Sequence, residues 1–197
     1  MKALRFRRFG PPSVLAIEEV PPPEPLDDEA LVQVKAAAIN PSDVKNVSGH
    51  FSGTTLPRTP GRDFSGLVVA GRKHQGQEVW SSGPGLGVTR DGAQAEYVTV
   101  PEEALSLKPG NLGLEQAAAI GVPFLTAWCC LVRAAQLEAG ETILIVGEAG
   151  AVGQAGPKLQ IGERRACSER LVPRILFPVL LVLLTQRLRI CAIAYLN

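Results

Sequence analysis

The alternation of apolar and polar positions changes period twice along the 197 residues of this chain. From residue 2 to residue 100 the apolar positions come in short runs of period two. Residues 2–6, 15–20, 30–38, 65–70, 78–80 and 95–100 therefore read as strands. The run 30–38 is representative: Leu31, Val32 and Val34 alternate with Gln33 and Lys35. Turn chemistry separates the runs, with Gly10, Pro11, Pro12 and Ser13 after the first and a proline-rich connection over 21–28 after the second. Asn40, Pro41, Ser42 and Asp43 break the third run and can start a short helical turn. After Pro109 the period lengthens. Residues 114–120 and 124–137 read as helices, the second opened by Pro123 at an N1-like position and closed by Gly140. Ile143, Leu144, Ile145 and Val146 then form an uninterrupted apolar run that reads as a buried strand. The fold class is mixed α/β: a barrel-like β unit, joined by helices to the first strand of an α/β unit.

The run 142–146 leads directly into Gly147, Glu148, Ala149, Gly150, Ala151, Val152 and Gly153. A strand that ends in a glycine-rich turn and opens a helix presents backbone N–H groups to a phosphate. The pattern departs from G-x-G-x-x-G, because Glu148 stands at the first glycine position and Gly150 and Gly153 at the second and third. A carboxylate there would repel a pyrophosphate, so Gly150, Ala151, Val152 and Gly153 are the candidate contacts.

Composition matters mainly because it changes abruptly near residue 156. From there to residue 197 there are seven basic residues against Glu163 and Glu169, and two of the 20 glycines. Pro157 follows the turn closely and is compatible only with the first turn of a helix. Residues 175–184 are continuously apolar but too short to span a bilayer, which needs about 20 residues. An interfacial contact is the one membrane role open to them, and a buried segment is the simpler reading. A net charge of +1 gives no reason to expect nucleic acid as a partner. Cys129, Cys130, Cys167 and Cys191 show no metal-ligand or redox spacing and read as free thiols of a reducing, cytoplasmic environment. The basic start of the chain lacks the apolar stretch of a secretory signal.

Five motifs occur in a telling order: Val34-Lys-Ala-Ala-Ala-Ile-Asn-Pro-Ser-Asp-Val44, Thr59-Pro-Gly-Arg-Asp-Phe-Ser-Gly66, Gly92-Ala-Gln-Ala-Glu-Tyr-Val-Thr-Val-Pro101, Gly121-Val-Pro-Phe-Leu-Thr-Ala-Trp128 and the glycine-rich turn. Over about residues 1–155 this order resembles the medium-chain dehydrogenase/reductase superfamily, and within it the zinc-independent quinone oxidoreductase branch. The resemblance implies a GroES-like domain over 1–120. A connecting helix and the first strand and turn of a Rossmann domain follow over 121–155, and an atypical tail occupies 156–197.

The resemblance also implies NADPH as cofactor, with NADH possible, and a quinone or enone-type carbonyl as hydride acceptor. Asn40 and Asp43 would be catalytic; Asn40, Ser42, Thr126, Gly150, Ala151, Val152 and Gly153 would bind cofactor. No metal is expected, because Asn40 and Arg62 stand where zinc-dependent relatives carry Cys and His ligands. Family members are often homodimers. Lys45, His50 and His74 read as surface groups, Trp80 and Trp128 as core aromatics, and Asp63 as a structural partner for Arg62 or Lys45.

The tail does not continue the Rossmann pattern. A shifted reading frame through codons 156–168 can encode a sequence like the family's next helix and strand, which predicts that the tail is out-of-frame translation of a longer gene. Two readings follow: an oxidoreductase impaired by truncation inside its cofactor domain, or a non-catalytic product that keeps the GroES-like fold.

Overall fold

The computed structural model describes residues 1–138, 142–159, 180–185 and 188–192. The chain divides into two compact units, Met1–Val122 and Pro123–Asn197.

In the first unit, β1 (Lys2–Arg5) and β2 (Ala16–Glu19) form an antiparallel ribbon. Five further strands form an antiparallel sheet: β3 (Glu29–Ala37), β4 (Asp63–Ala70), β5 (Glu78–Ser82), β6 (Tyr97–Pro101) and β7 (Ser106–Leu107). Their order is β6-β3-β4-β5-β7. Bridges from Ala3 to Ala95 and from Phe6 to Arg58 tie the ribbon to this unit. The period-two pattern works as expected. Ala30 and Val32 of β3, Phe64 and Val68 of β4, Val79 of β5, and Val98 and Val100 of β6 meet in one apolar cluster with Leu86, Ala93 and Leu105.

The strand β4 is buried on both faces over its first four residues, and this positions the site. Phe64 and Val68 point into the core, whereas Asp63 and Ser65 face the other way and hold helices. The Ser65 hydroxyl donates to the Leu114 carbonyl at the start of α2 (Leu114–Ala119). Asp63 accepts from the Val122 N–H, next to the first residue of α3 (Gly121–Trp128). Gly66 must lack a side chain, since a Cβ there would meet Val32 Cγ1 at 3.0 Å and overlap the Gln33 carbonyl of the neighbouring strand. The expected turn at Asn40 is α1 (Pro41–Val47).

The second helix departs from its expected bounds. It starts at Gly121, with Pro123 third, where the free N–H groups of a first turn make proline harmless. It ends as an α-helix at Trp128 and continues as a π-helical turn over Cys129–Ala134. Trp128 is 43% exposed, not a core aromatic. Trp80 is half-buried, His50 is exposed, and His74 is half-buried with its ring against Gln77 Oε1.

In the second unit β8 (Thr142–Val146) leads through the glycine-rich turn into α4 (Ala151–Lys158). Ala127, Val152 and Ala155 form a small core with Phe124 and Leu159, and Leu131 packs with Ile143. Contrary to expectation, Pro157 is not in the first turn of α4 but is its penultimate residue; it has no N–H to donate to the Gly153 carbonyl, so the last turn of the helix lacks one bond. Two further strands are present where no element was expected: β9 (Leu180–Thr185) and β10 (Leu188–Ala192). β10 pairs parallel with β8 and antiparallel with β9. Gly140, residues 175–179, Cys167 and the stretch compared with a shifted frame beyond Leu159 lie outside the described residues. Among the described residues no helix is long and apolar enough to cross a membrane.

Candidate functional site

Two groups of candidate residues arise, one in each unit. The first is built at the end of β3, where Asn40 is the residue before α1. Its extended backbone ends the strand, and Pro41 supplies the preset φ of a first helical residue. The Asp43 carboxylate reaches back to accept the Asn40 N–H at 2.7 Å, and the Asp43 N–H donates to the Asn40 carbonyl at 2.9 Å. This is the third-residue half of a capping box. The Asn40 amide nitrogen donates to Asp63 Oδ2 at 2.9 Å.

The constellation is dry. Asn40, Ser42, Asp43 and Asp63 are all buried, Asp63 completely. Removal from water pushes the Asp43 carboxyl up to about 6, with the negative charge of Asp63 adding to the rise. The Asn40 N–H and the Arg62 guanidinium pull the other way. Arg62 lies 3.4 Å from the Ser42 hydroxyl. Beside these polar groups Ile39 is 76% exposed and Val44 is partly exposed, so an apolar lip borders the site.

The second group is the turn before α4. Gly147 holds a φ of +86°, open to glycine at little cost. Its carbonyl accepts the Gly150 N–H at 3.0 Å, closing the turn. Gly150 then stands as the residue before α4, and Ala151, Val152 and Gly153 make the first helical turn, whose N–H groups have no partner within the helix. A Cβ on Gly153 would come within 2.6 Å of Glu148 Cα and overlap the Gly147 carbonyl. Residues 147–151 are exposed, including Glu148. Thr126 lies on α3, in the second unit. Asn40, Ser42 and Asp43 are thus one physical cluster, and residues 150–153 are another.

Residues 26–110 match the alcohol dehydrogenase GroES-like domain. The chain is 44% identical over 178 residues to a zinc-type alcohol dehydrogenase-like protein of Schizosaccharomyces pombe, covering 88% of this chain and 54% of that protein. It is 36% identical to the quinone oxidoreductase of Sus scrofa, over 79% of this chain and 48% of that one. Among solved structures, the quinone oxidoreductase of Thermus thermophilus, determined also as a complex with NADPH, superposes with a TM-score of 0.69 at 33% identity, over 81% of this chain and 50% of that chain. The chain belongs to the medium-chain dehydrogenase/reductase superfamily. It spans about half the length of the curated relatives it matches.

Within this superfamily member, residues 151–153 offer a pyrophosphate free N–H groups at the opening of a helix, whereas the Glu148 carboxylate, exposed in the same turn, opposes it. The side chains at the Asn40 end are an amide, a hydroxyl, a guanidinium and two carboxylates, and among the described residues no group of three His, Cys, Asp or Glu is placed to hold a metal ion. A cavity of about 480 Å³ in the first unit is lined by Arg5, Arg7, Arg90 and Tyr97 and by none of the candidates. Its arginines are already paired, with Asp91, Glu18 and Glu29. Sequence reasoning missed two residues of this reductase-like scaffold. Gly147 was passed over in favour of the later glycines, although a strand-ending glycine is the expected place for a positive φ. Asp63 was paired with Arg62 or Lys45, whereas its hydrogen bonds come from Asn40 and Val122.

Proposed function

We propose that this chain carries the nicotinamide-side and pyrophosphate-side elements of a metal-free oxidoreductase. Its cofactor is NADPH, with NADH as the alternative, and its acceptor a quinone or an enone-type carbonyl. The observation that carries the reading is the buried cluster of Asn40, Ser42, Asp43 and Asp63 at the β3–α1 junction of a GroES-like domain. NADPH supplies the hydride when bound. The chain's own task is to place the nicotinamide and the acceptor against each other and to keep water away.

Asn40 provides the directional polar contact on the nicotinamide side, with Ser42 beside it. Asp43 holds the β3–α1 turn in shape and is the titratable group nearest the reacting face. Ile39 and Val44 offer the apolar surface that a flat, electron-poor acceptor needs. Residues 150–153, through their N–H groups, take the pyrophosphate, and Thr126 contributes a hydroxyl contact to the cofactor. Arg62 and Asn40 in place of metal-binding side chains support hydride transfer without a Lewis acid. The relatives named as quinone oxidoreductases support a small-molecule acceptor.

The test is a titration of the purified chain with NADPH, read by the fluorescence of the reduced nicotinamide. Saturable binding that NADP competes away, and that Gly153→Val abolishes, is expected. Absence of saturable binding at millimolar NADPH contradicts the reading. The addition of quinone and enone acceptors to the bound cofactor then distinguishes a working oxidoreductase from a chain that only binds.

A further inference from the structure

Asp63 is a buried carboxylate that the proposed chemistry leaves unused. It is fully excluded from water. Its Oδ2 accepts two hydrogen bonds, from the Asn40 amide nitrogen at 2.9 Å and from the Val122 N–H at 2.8 Å. Its Oδ1 has no hydrogen-bond partner among the described residues. That oxygen lies against Gly121, where any Cβ would come within 2.5 Å of the carboxylate carbon. The seat is therefore made for a carboxylate, yet it leaves one carboxylate oxygen unpaired in a dry place. Such an atom is costly, and a neutral residue could anchor the helix more cheaply.

What a carboxylate does that an amide or hydroxyl does not is accept only. An asparagine or serine at this position could meet Asn40 either as donor or as acceptor, and the Asn40 amide could then sit either way round. Against a carboxylate it has one choice: the NH2 group turns inward, and the carbonyl oxygen, at the opposite end of the planar amide, is directed away from Asp63. The Val122 N–H fixes the carboxylate in turn, aided by the positive end of α3.

We propose that Asp63 is a positioning residue that locks the Asn40 amide with its NH2 group inward, so that Asn40 meets the nicotinamide end of the cofactor as a hydrogen-bond acceptor. The ligand groups it selects are donors: a ribose hydroxyl or the N–H of the nicotinamide carboxamide. This rests on the function proposed above, because it names the polarity of the contact that Asn40 makes there. It also assigns the stabilisation of an oxyanion on the acceptor to some donor other than Asn40.

The test is nuclear magnetic resonance of the side-chain amide of Asn40 in 15N-labelled full chain, without ligand and then with NADPH. In the unmodified protein one Nδ2 proton is shifted downfield and exchanges slowly with water. Two solvent-like protons there overturn the proposal with no variant needed. In Asp63→Asn the downfield shift is lost and the exchange quickens, while the backbone signals of β3, β4 and β6 keep their positions. NADPH affinity then falls about tenfold, the effect of one misdirected hydrogen bond. An Asn40 amide signal unchanged in Asp63→Asn overturns the proposal, as does a lost signal with undiminished NADPH affinity, which would leave Asp63 a purely structural anchor. If the unmodified chain binds no NADPH, the proposed function fails by itself, and the claim that Asp63 orients Asn40 is still decided by the ligand-free spectra.

Discussion

The cluster at Asn40 and the turn at Gly147 solve opposite problems. The first is made of side chains taken out of water and locked to one another, with Asp43 on the Asn40 N–H and Asp63 on the Asn40 amide. The second is made of backbone left in water, with the side chains removed wherever they would intrude, as at Gly153. A site of interlocked side chains gives direction and a tuned charge, and it fails when one partner loses its chemistry. A site of bare backbone gives a place for an anion and fails when a Cβ is added. The comparison predicts which kind of substitution each region tolerates.

The largest effect is expected from Asp63→Ala. It leaves the Asn40 amide and the Val122 N–H buried without an acceptor, at about 1–3 kcal/mol for each orphaned donor. Urea unfolding followed by Trp80 fluorescence should show the loss, and an unchanged midpoint would mean that the first cluster is not interlocked at all. Next is Gly153→Ala, an overpacking of about 1–3 kcal/mol confined to the turn. Hydrogen exchange should quicken at residues 147–154, with β3 and β4 protected as before. Spread of that change into the first unit would erase the contrast between the regions.

A comparable effect should appear in the pH dependence. Asp43 has a folded value of about 6 against an ordinary value of 3.8, so between these values the folded chain holds more proton than the unfolded one. Its contribution to stability is complete below the unfolded value and is lost as pH rises through the folded one, by about 2–3 kcal/mol. Asp43→Asn keeps the shape and the acceptor for the Asn40 N–H while removing the titration. The difference in stability between the two proteins should therefore grow from pH 4 to pH 6, in favour of the variant, and then level. A flat difference contradicts the buried, charge-coupled Asp43. The smallest effect is expected of Ser42→Ala, which gives up a long contact to Arg62 and should change stability by less than about 1 kcal/mol.

The strands of the first unit were legible because each buries alternate residues, so the period survives in the sequence of β3, β5 and β6. Two-residue β7 carries no period and left no signal. The turn at Asn40–Asp43 was legible because its backbone bonds are local, within one turn of α1. The role of Asp63 was not, since its partners lie 23 and 59 residues away and only the folded sheet brings them together. The start of α3 was misjudged because Pro123 looked like a first residue, although the whole first turn tolerates proline. Trp128 looked apolar enough for a core, yet its place on α3 leaves it exposed. β9 was missed because it lies inside a longer apolar run that also contains Pro178, and β10 because five residues around Arg189 carry too little pattern to mark a strand.

The most direct test follows both regions in one experiment: NADPH titrated into the 15N-labelled chain while the Asn40 side-chain amide and the backbone N–H signals of residues 150–153 are watched together. Both sets of signals should move along a common saturation curve. If only the turn responds, or if the signals that move line the arginine-rich cavity around Arg5 and Arg90 instead, the proposed function is wrong.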